Sequence, residues 1–345
     1  MNFKDVIEKL CSKVDLSRED LSIIVHDFEE NKVDDEDIKK LVTLWREKKE
    51  TSFELKELAD ILFTKQKQIE LYSGAVDLCG TGGDKLSTFN VSTLSAIVAS
   101  SCGVKVIKHS GRSTTSVSGS VDVLSQFRFD IDNSKEIKEN CFQKTSLMFV
   151  SSKTLRDIFG KVKIICKELN FPGFVNLLGP LTNPYKTSYH LLGVSRIEWG
   201  ELLASSLKSQ ALKNKKEALI VCSNVGHDLY MDELSFCGRN YIWKLSGGKI
   251  TEEVIDPVEL GHELTDYKEL IVKDIDESKI IFEDILRGKL GNENPKVQIV
   301  ALNAGAALYL TNKVKSIAFG YKFALQHINS SKPWEHFQNF LNCNR

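Results

Sequence analysis

Residues 1–70 contain neither glycine nor proline, so that stretch lacks the two residues that most readily break a helix. In all 345 residues, no apolar run approaches the roughly 18 that a membrane helix needs. The opening MNFKDVIEKLCSKVDLS is charged and amphipathic, without the apolar core of a signal segment. These absences lead us to expect a cytoplasmic protein with no membrane partner. Excess charge is missing too. The 46 Lys and Arg stand against 47 Asp and Glu, a net charge of −1, which gives no electrostatic reason to expect nucleic acid as a partner. No C-x-x-C pair occurs, and zinc-site and redox-motif spacing are thereby excluded. The eight cysteines (Cys11, Cys79, Cys102, Cys141, Cys166, Cys222, Cys237 and Cys343) are scattered over a long chain, as buried or free thiols are. Internal repeats and low-complexity tracts are also lacking.

What is present falls into two kinds of sequence. FKDVIEKLCSKV, SREDLSIIVHDFEE, DEDIKKLVTLWREKK and SFELKELADILFTKQ carry apolar residues at three- and four-residue spacing, the signature of amphipathic helices. Ser17, Asp35 and Ser52 are the expected N-caps. From about residue 74 the character changes. AVDLCG, VKVIKHSG and ALIVC predict strands, while STLSAIVASSCG and KVQIVALNAGAALYLT predict buried helices rich in small residues. Strands separated by helices argue for an α/β sheet with crossovers. The span 131–170 returns to a helical pattern, so the helical unit is expected in two separated pieces.

Four segments carry chemistry. In DLCGTGGDKLSTFNVST, three glycines (Gly80, Gly82, Gly83) sit in four positions and Asp84 closes the cluster. Such a loop after a strand and before a helix lets successive backbone N–H groups point at phosphate oxygens. It matches neither the P-loop nor the dinucleotide fingerprint, and on the glycines alone a tight turn is an equal reading. Asp84, Ser87, Thr88, Asn90, Ser92 and Thr93 tip the balance toward a polyhydroxylated, phosphorylated ligand. The second segment, KHSGRSTTSVSGSVD, sets Lys108 and Arg112 among serines and threonines, which suits a second anion-binding loop. The third, MDELS, places Asp232 and Glu233 side by side; alone such a pair reads as solvated surface, and beside two anion-binding loops it suits hard oxygen ligation of Mg²⁺. The fourth, FVNLLGPLTNP, is uncharged, with turns expected at Gly179–Pro180 and Asn183–Pro184.

Taken in order, DLCGTGGD, NVST, KH followed by RS, SGS-x-DVL, NLLGPLTNP, MDELS and LNAGAALYL resemble the anthranilate phosphoribosyltransferases of tryptophan biosynthesis, from about residue 40 to 335. The resemblance implies an α/β fold of the nucleoside phosphorylase/phosphoribosyltransferase kind. A small N-terminal helical domain (1–72, with a second helical piece near 131–190) would adjoin a larger α/β domain (73–130 and 191–345) with a central, mostly parallel sheet. It implies a homodimer and Mg²⁺-dependent transfer of phosphoribosyl from 5-phosphoribosyl-1-pyrophosphate (PRPP) to the amine of anthranilate. The PRPP site implied comprises Gly80, Gly82, Gly83, Asp84, Thr88, Asn90, Val91, Ser92, Thr93, Lys108, His109, Arg112, Ser116 and Ser120. Ser92, Asp232 and Glu233 would hold the metal, and Lys108 with the metal-bound carboxylates would stabilise charge. Gly80, Gly111 and Cys166 fall at acceptor-binding positions. Two of these depart from the family pattern. Gly111 stands where an asparagine is usual, and Cys166 where an arginine faces the anthranilate carboxylate. Either Lys163, Lys167 or Arg156 substitutes for that arginine, or the acceptor is another aromatic amine. A catalytically inactive relative that binds nucleotide or nucleic acid is the non-enzymatic alternative.

Overall fold

The computed structural model describes every residue except 1, 66–69, 112–118, 152, 212–215, 227, 260 and 345. Four helices open the chain: α1 (Phe3–Cys11), α2 (Arg18–Glu29), α3 (Asp35–Lys48) and α4 (Ser52–Lys65). Ser17 caps α2 as expected. The other two caps lie one residue earlier than expected. Asp34 accepts from the Asp37 N–H at 2.8 Å, and the Thr51 hydroxyl accepts from the Glu54 N–H at 3.2 Å. A capping residue must sit outside the helix for its oxygen to turn back onto the first turn, and Asp35 and Ser52 are already inside. Glu54, fully buried, ties the layer together by accepting from the Leu16 N–H at 2.7 Å and from Trp45 Nε1 at 3.2 Å.

The rest of the chain alternates. β1 (Glu70–Gly80), α5 (Val91–Ser101), β2 (Lys105–His109), α6 (Ser120–Ser125), α7 (Lys135–Thr145) and β3 (Leu147–Val150) are followed by α8 (Lys153–Glu168), α9 (Phe174–Leu181), β4 (Tyr185–Gly193) and α10 (Glu198–Ala211). Then come β5 (Glu217–Gly226), β6 (Leu229–Met231), β7 (Asn240–Ser246), β8 (Lys249–Ile255), α11 (Ile275–Leu286), α12 (Pro295–Leu310), α13 (Ile317–Asn329) and α14 (Lys332–Cys343). Every strand and helix expected in the α/β part is present. One sheet runs β3-β2-β1-β4-β5-β7-β8, with β6 paired to β5. The pairs from β3 to β5 are parallel, and β5–β7, β7–β8 and β5–β6 are antiparallel. The fold class read from the sequence is therefore the one observed.

One face of the sheet packs Leu78, Val106 and Leu191 against α5, α12, α13 and α14. The other packs Leu192, Ala218 and Ile220 into a core continuous with the N-terminal helices, α8, α9 and α10. Within that core the Phe174 ring lies 4.6 Å from Trp45 and 5.4 Å from Phe159, joining α9 to α3 and α8. The span 131–190 is narrower as a helical piece than expected: β3 lies within it, β4 begins in it, and both belong to the sheet. The short apolar run of β3 is fully buried, where period alone does not separate strand from helix. Gly179–Pro180 does not make a turn of its own but lies in the last turn of α9. There Pro180 gives up only one helical hydrogen bond. No disulfide forms; all eight cysteines are free. Among the described residues, no helix is long and apolar enough to cross a membrane.

Candidate active site

The chain leaves β1 for β2 on one side and continues to β4 on the other. A ligand crevice belongs beyond the carboxyl ends of the strands where the order reverses in this way, and β1 ends there at Gly80. Gly82 and Gly83 hold φ of +63° and +86°, the left-handed region that favours glycine. The loop is fixed from behind. Thr81 N–H donates to Gly193 O at 2.9 Å, Ser195 Oγ donates to Gly82 O at 2.8 Å, and Asn176 Nδ2 donates to Thr81 O at 3.1 Å. After the loop, α5 begins with its N-terminal turn at Val91 and Ser92, the positive end of its dipole.

Asp232 follows β6 and reaches across to this loop. Its Oδ2 accepts from the Gly82 N–H at 2.8 Å. A Cβ on Gly80 would lie 2.2 Å from that oxygen, and one on Gly193 would lie 1.5 Å from the Asp232 carbonyl oxygen. Only glycine lets β1 and β4 approach the Asp232 segment so closely. Carboxylate oxygens of Asp84, Asp232 and Glu233 all lie within 4.8 Å of one another. Burial, and then the Asp232 charge, push Asp84 up from 3.8 to about 8. Burial, and then Asp232 and Asp84, push Glu233 well above 4.5. One Glu233 oxygen, Oε2, is buried with no hydrogen-bond partner among the described residues. Crowded carboxylates with an orphaned oxygen are relieved by protons or by a divalent cation, and an all-oxygen donor set suits Mg²⁺. The family pattern puts Asp84 with PRPP alone, whereas the fold also brings it to Asp232 and Glu233, the carboxylates expected to hold the metal.

Lys108, at 2 % exposure, donates to Leu78 O at 2.6 Å and to Ser92 Oγ at 3.2 Å. Burial lowers its pKa from 10.5, while Glu233 and Asp232 are among the charges that oppose the shift. Burial likewise lowers His109, whose backbone N–H donates to Asp77 Oδ1 at 2.9 Å. Asn303 reads from the sequence only as part of a buried helix. Its Oδ1 accepts from the Leu234 N–H at 3.1 Å and its Nδ2 donates to Leu234 O at 2.8 Å, which fixes the chain just after Glu233. A single amide inside the apolar LNAGAALYL is the signal that could have found it.

A cavity of about 650 Å³ opens here between the sheet and the helical layer. Gly80, Gly82, Gly83 and Asp84 contribute to it, as do Thr88, Asn90, Val91 and Ser92 from the approach to α5. Lys108, His109, Gly111 and Ser120 add the second loop, and Asp232 and Glu233 the third. Two of the expected residues stand apart. Thr93 is fully buried, and its hydroxyl donates to Ser120 Oγ at 2.8 Å, so it supports Ser120 from behind. Cys166 is 4 % exposed on the inner side of α8, and burial pushes its thiol up to about 11. The side of α8 that meets the cavity carries Arg156, Phe159, Gly160, Lys163 and Ile164, spaced one helical turn apart. Lys167 is exposed and outside the lining. Arg112 and Ser116 lie outside the described residues.

Residues 72–333 match the glycosyl transferase family, a/b domain. The anthranilate phosphoribosyltransferase of Halalkalibacterium halodurans is 35% identical over 303 residues, covering 88% of this chain and 86% of that one. The chain belongs to the anthranilate phosphoribosyltransferase family. Its likeness to the Petrotoga mobilis anthranilate phosphoribosyltransferase is 32% identity over 346 residues, covering 98% of each. Among solved structures, the anthranilate phosphoribosyltransferase of Thermus thermophilus aligns with a TM-score of 0.85 at 25% identity, over 99% of both chains. That of Saccharomyces cerevisiae in complex with PRPP and Mg also aligns at 0.85, with 24% identity over 99% of this chain and 97% of that one, a likeness of fold. As a member of the family the protein is an enzyme, a phosphoribosyltransferase.

Proposed function

We propose that this phosphoribosyltransferase joins the amine of anthranilate to C1 of PRPP, with release of pyrophosphate and a requirement for Mg²⁺. The observation that carries the reading is the unpartnered Glu233 oxygen in a cluster with Asp84 and Asp232, beside a loop of backbone donors and a buried lysine. Asp84, Asp232, Glu233 and the Ser92 hydroxyl would hold Mg²⁺. Bound there, the ion would act as a Lewis acid that offsets the charge growing on the departing pyrophosphate. Lys108 adds a fixed cation for the same leaving group. The Gly82–Gly83 backbone and the first turn of α5 face anionic oxygens, and Thr88, Asn90 and Ser120 offer partners to phosphate or ribose. Arg112 and Ser116 belong to the same proposal. The reacting carbon takes on oxocarbenium character as pyrophosphate leaves. An arylamine is already nucleophilic, so the site needs no strong base, and holding the two substrates in line supplies much of the acceleration.

A steady-state assay with PRPP, Mg²⁺ and anthranilate tests the reading by loss of anthranilate fluorescence. No loss at millimolar anthranilate removes that acceptor. A second reading, transfer to a different aromatic amine, draws on the withdrawal of Cys166 from the cavity and the missing side chain at Gly111. Pyrophosphate release with another arylamine but not with anthranilate would establish it. A protein that bound an oligonucleotide but not PRPP with Mg²⁺ would instead be an inactive relative. A homodimer formed through the helical layer is part of the proposal, and light scattering checks it.

A further inference from the structure

The cavity is polarised. Asp84, Asp232, Glu233 and Lys108 crowd the end at the glycine loop. The wall supplied by α8, α9 and the segment before α7 is largely apolar, with Leu155, Phe159, Ile164, Val175 and Ile131. Two cations, Arg156 and Lys163, and one carboxylate, Asp132, interrupt that wall. An aromatic ring bearing one negative group fits such a surface, and the three carboxylates at the other end disfavour the reverse orientation. The two cations are unequal. The Arg156 side chain is 48% exposed and lies 3.8 Å from Asp132, itself 57% exposed, so water and a carboxylate screen its charge. Lys163 sits two turns further along the same side of α8 and is partly buried. Burial draws its pKa below 10.5, while Asp122 favours the charged form. Asp122 itself accepts from the Gly119 N–H at 2.8 Å at the start of α6. A partly desolvated cation contributes more to an anionic ligand than an exposed one does.

We propose that Lys163 receives the carboxylate of the acceptor and sets the preference for a carboxylated arylamine over a neutral one. The inference rests on the transferase reading above, and it separates from that reading by comparing two acceptors. Wild type, Lys163→Met and Lys163→Arg are assayed for pyrophosphate release with anthranilate and with aniline, which lacks the carboxylate. Loss of a charged hydrogen bond predicts that the anthranilate-to-aniline ratio of kcat/KM falls roughly ten- to hundredfold in Lys163→Met, and that it recovers in Lys163→Arg. PRPP affinity by calorimetry stays within about threefold of wild type in both, because Lys163 is not among the residues assigned to PRPP. An unchanged ratio in Lys163→Met overturns the proposal. So does an equal fall in Lys163→Arg, which would assign the effect to packing. Wild type that consumes neither amine removes the anthranilate reading itself.

Discussion

Without metal, this protein should lose stability as pH rises through the neutral range, and Mg²⁺ should restore it. The cause is the crowding of Asp84 by burial and by Asp232, which carries its carboxyl from 3.8 to about 8. Between those values the folded chain keeps a proton that the unfolded chain has released. The contribution of Asp84 is therefore fully present below about pH 4 and is lost as pH climbs through about 8. The gap between 3.8 and about 8 corresponds to at most about 5–6 kcal/mol. Solvent screening of a partly exposed group brings the expected effect to about 1–3 kcal/mol. Glu233 shifts stability in the same sense and carboxylates held below their usual range, such as Asp20 and Glu57, in the opposite one, so the informative quantity is the difference between wild type and Asp84→Asn. Asparagine keeps the oxygen that accepts from the Leu86 N–H at 3.2 Å but carries no charge. Thermal unfolding followed by circular dichroism, in chelator from about pH 5 to 8.5, should show the variant gaining several degrees on wild type as pH rises. Excess Mg²⁺ should raise wild type at the alkaline end much more than the variant. Parallel curves for the two proteins across that range in chelator would refute the carboxylate-crowding argument.

Three substitutions probe the same geometry. Gly80→Ala sets a methyl group 2.2 Å from Asp232 Oδ2 and breaks its bond from the Gly82 N–H. Losing that charge-assisted bond costs about 1.5–3 kcal/mol, so calorimetry should show PRPP–Mg²⁺ affinity falling roughly ten- to hundredfold in a folded protein; wild-type affinity would count against Asp232 as a metal ligand. Gly83→Val forces a branched side chain to φ +86°, with its Cβ 3.3 Å from the Pro172 Cβ. The strain of at least about 1–2 kcal/mol should displace the loop and abolish PRPP binding, and normal turnover would reject the backbone-cradle assignment. Asn303→Ala strips the Leu234 N–H and carbonyl of their side-chain partner. We expect a loss of about 1–3 kcal/mol in unfolding free energy and a larger rise in KM for PRPP than for anthranilate; an unchanged KM for PRPP would limit Asn303 to a purely structural role.

Contiguous patterns in this chain determined its local structure. Apolar spacing gave the four opening helices, short β-rich runs gave β1, β2 and β5, and the density of glycine in Gly80–Gly83 marked the loop that leaves β1. Each signal is carried by neighbouring residues whose backbone preferences act within a few positions, so no knowledge of the fold was needed. Tertiary structure decided what such patterns do not encode. Gly82 and Asp232 are 150 residues apart in sequence, yet they meet because β1, β4 and β5 are adjacent in one sheet. Asp84 joins Asp232 and Glu233 by the same route, and burial then raises the proton affinity of Asp84 and Glu233. The rotation of α8 about its axis takes Cys166 into the core and brings Lys163 to the cavity. Charge, burial and helix rotation are properties of the packed molecule, and only the packed molecule fixes which residues face the ligand.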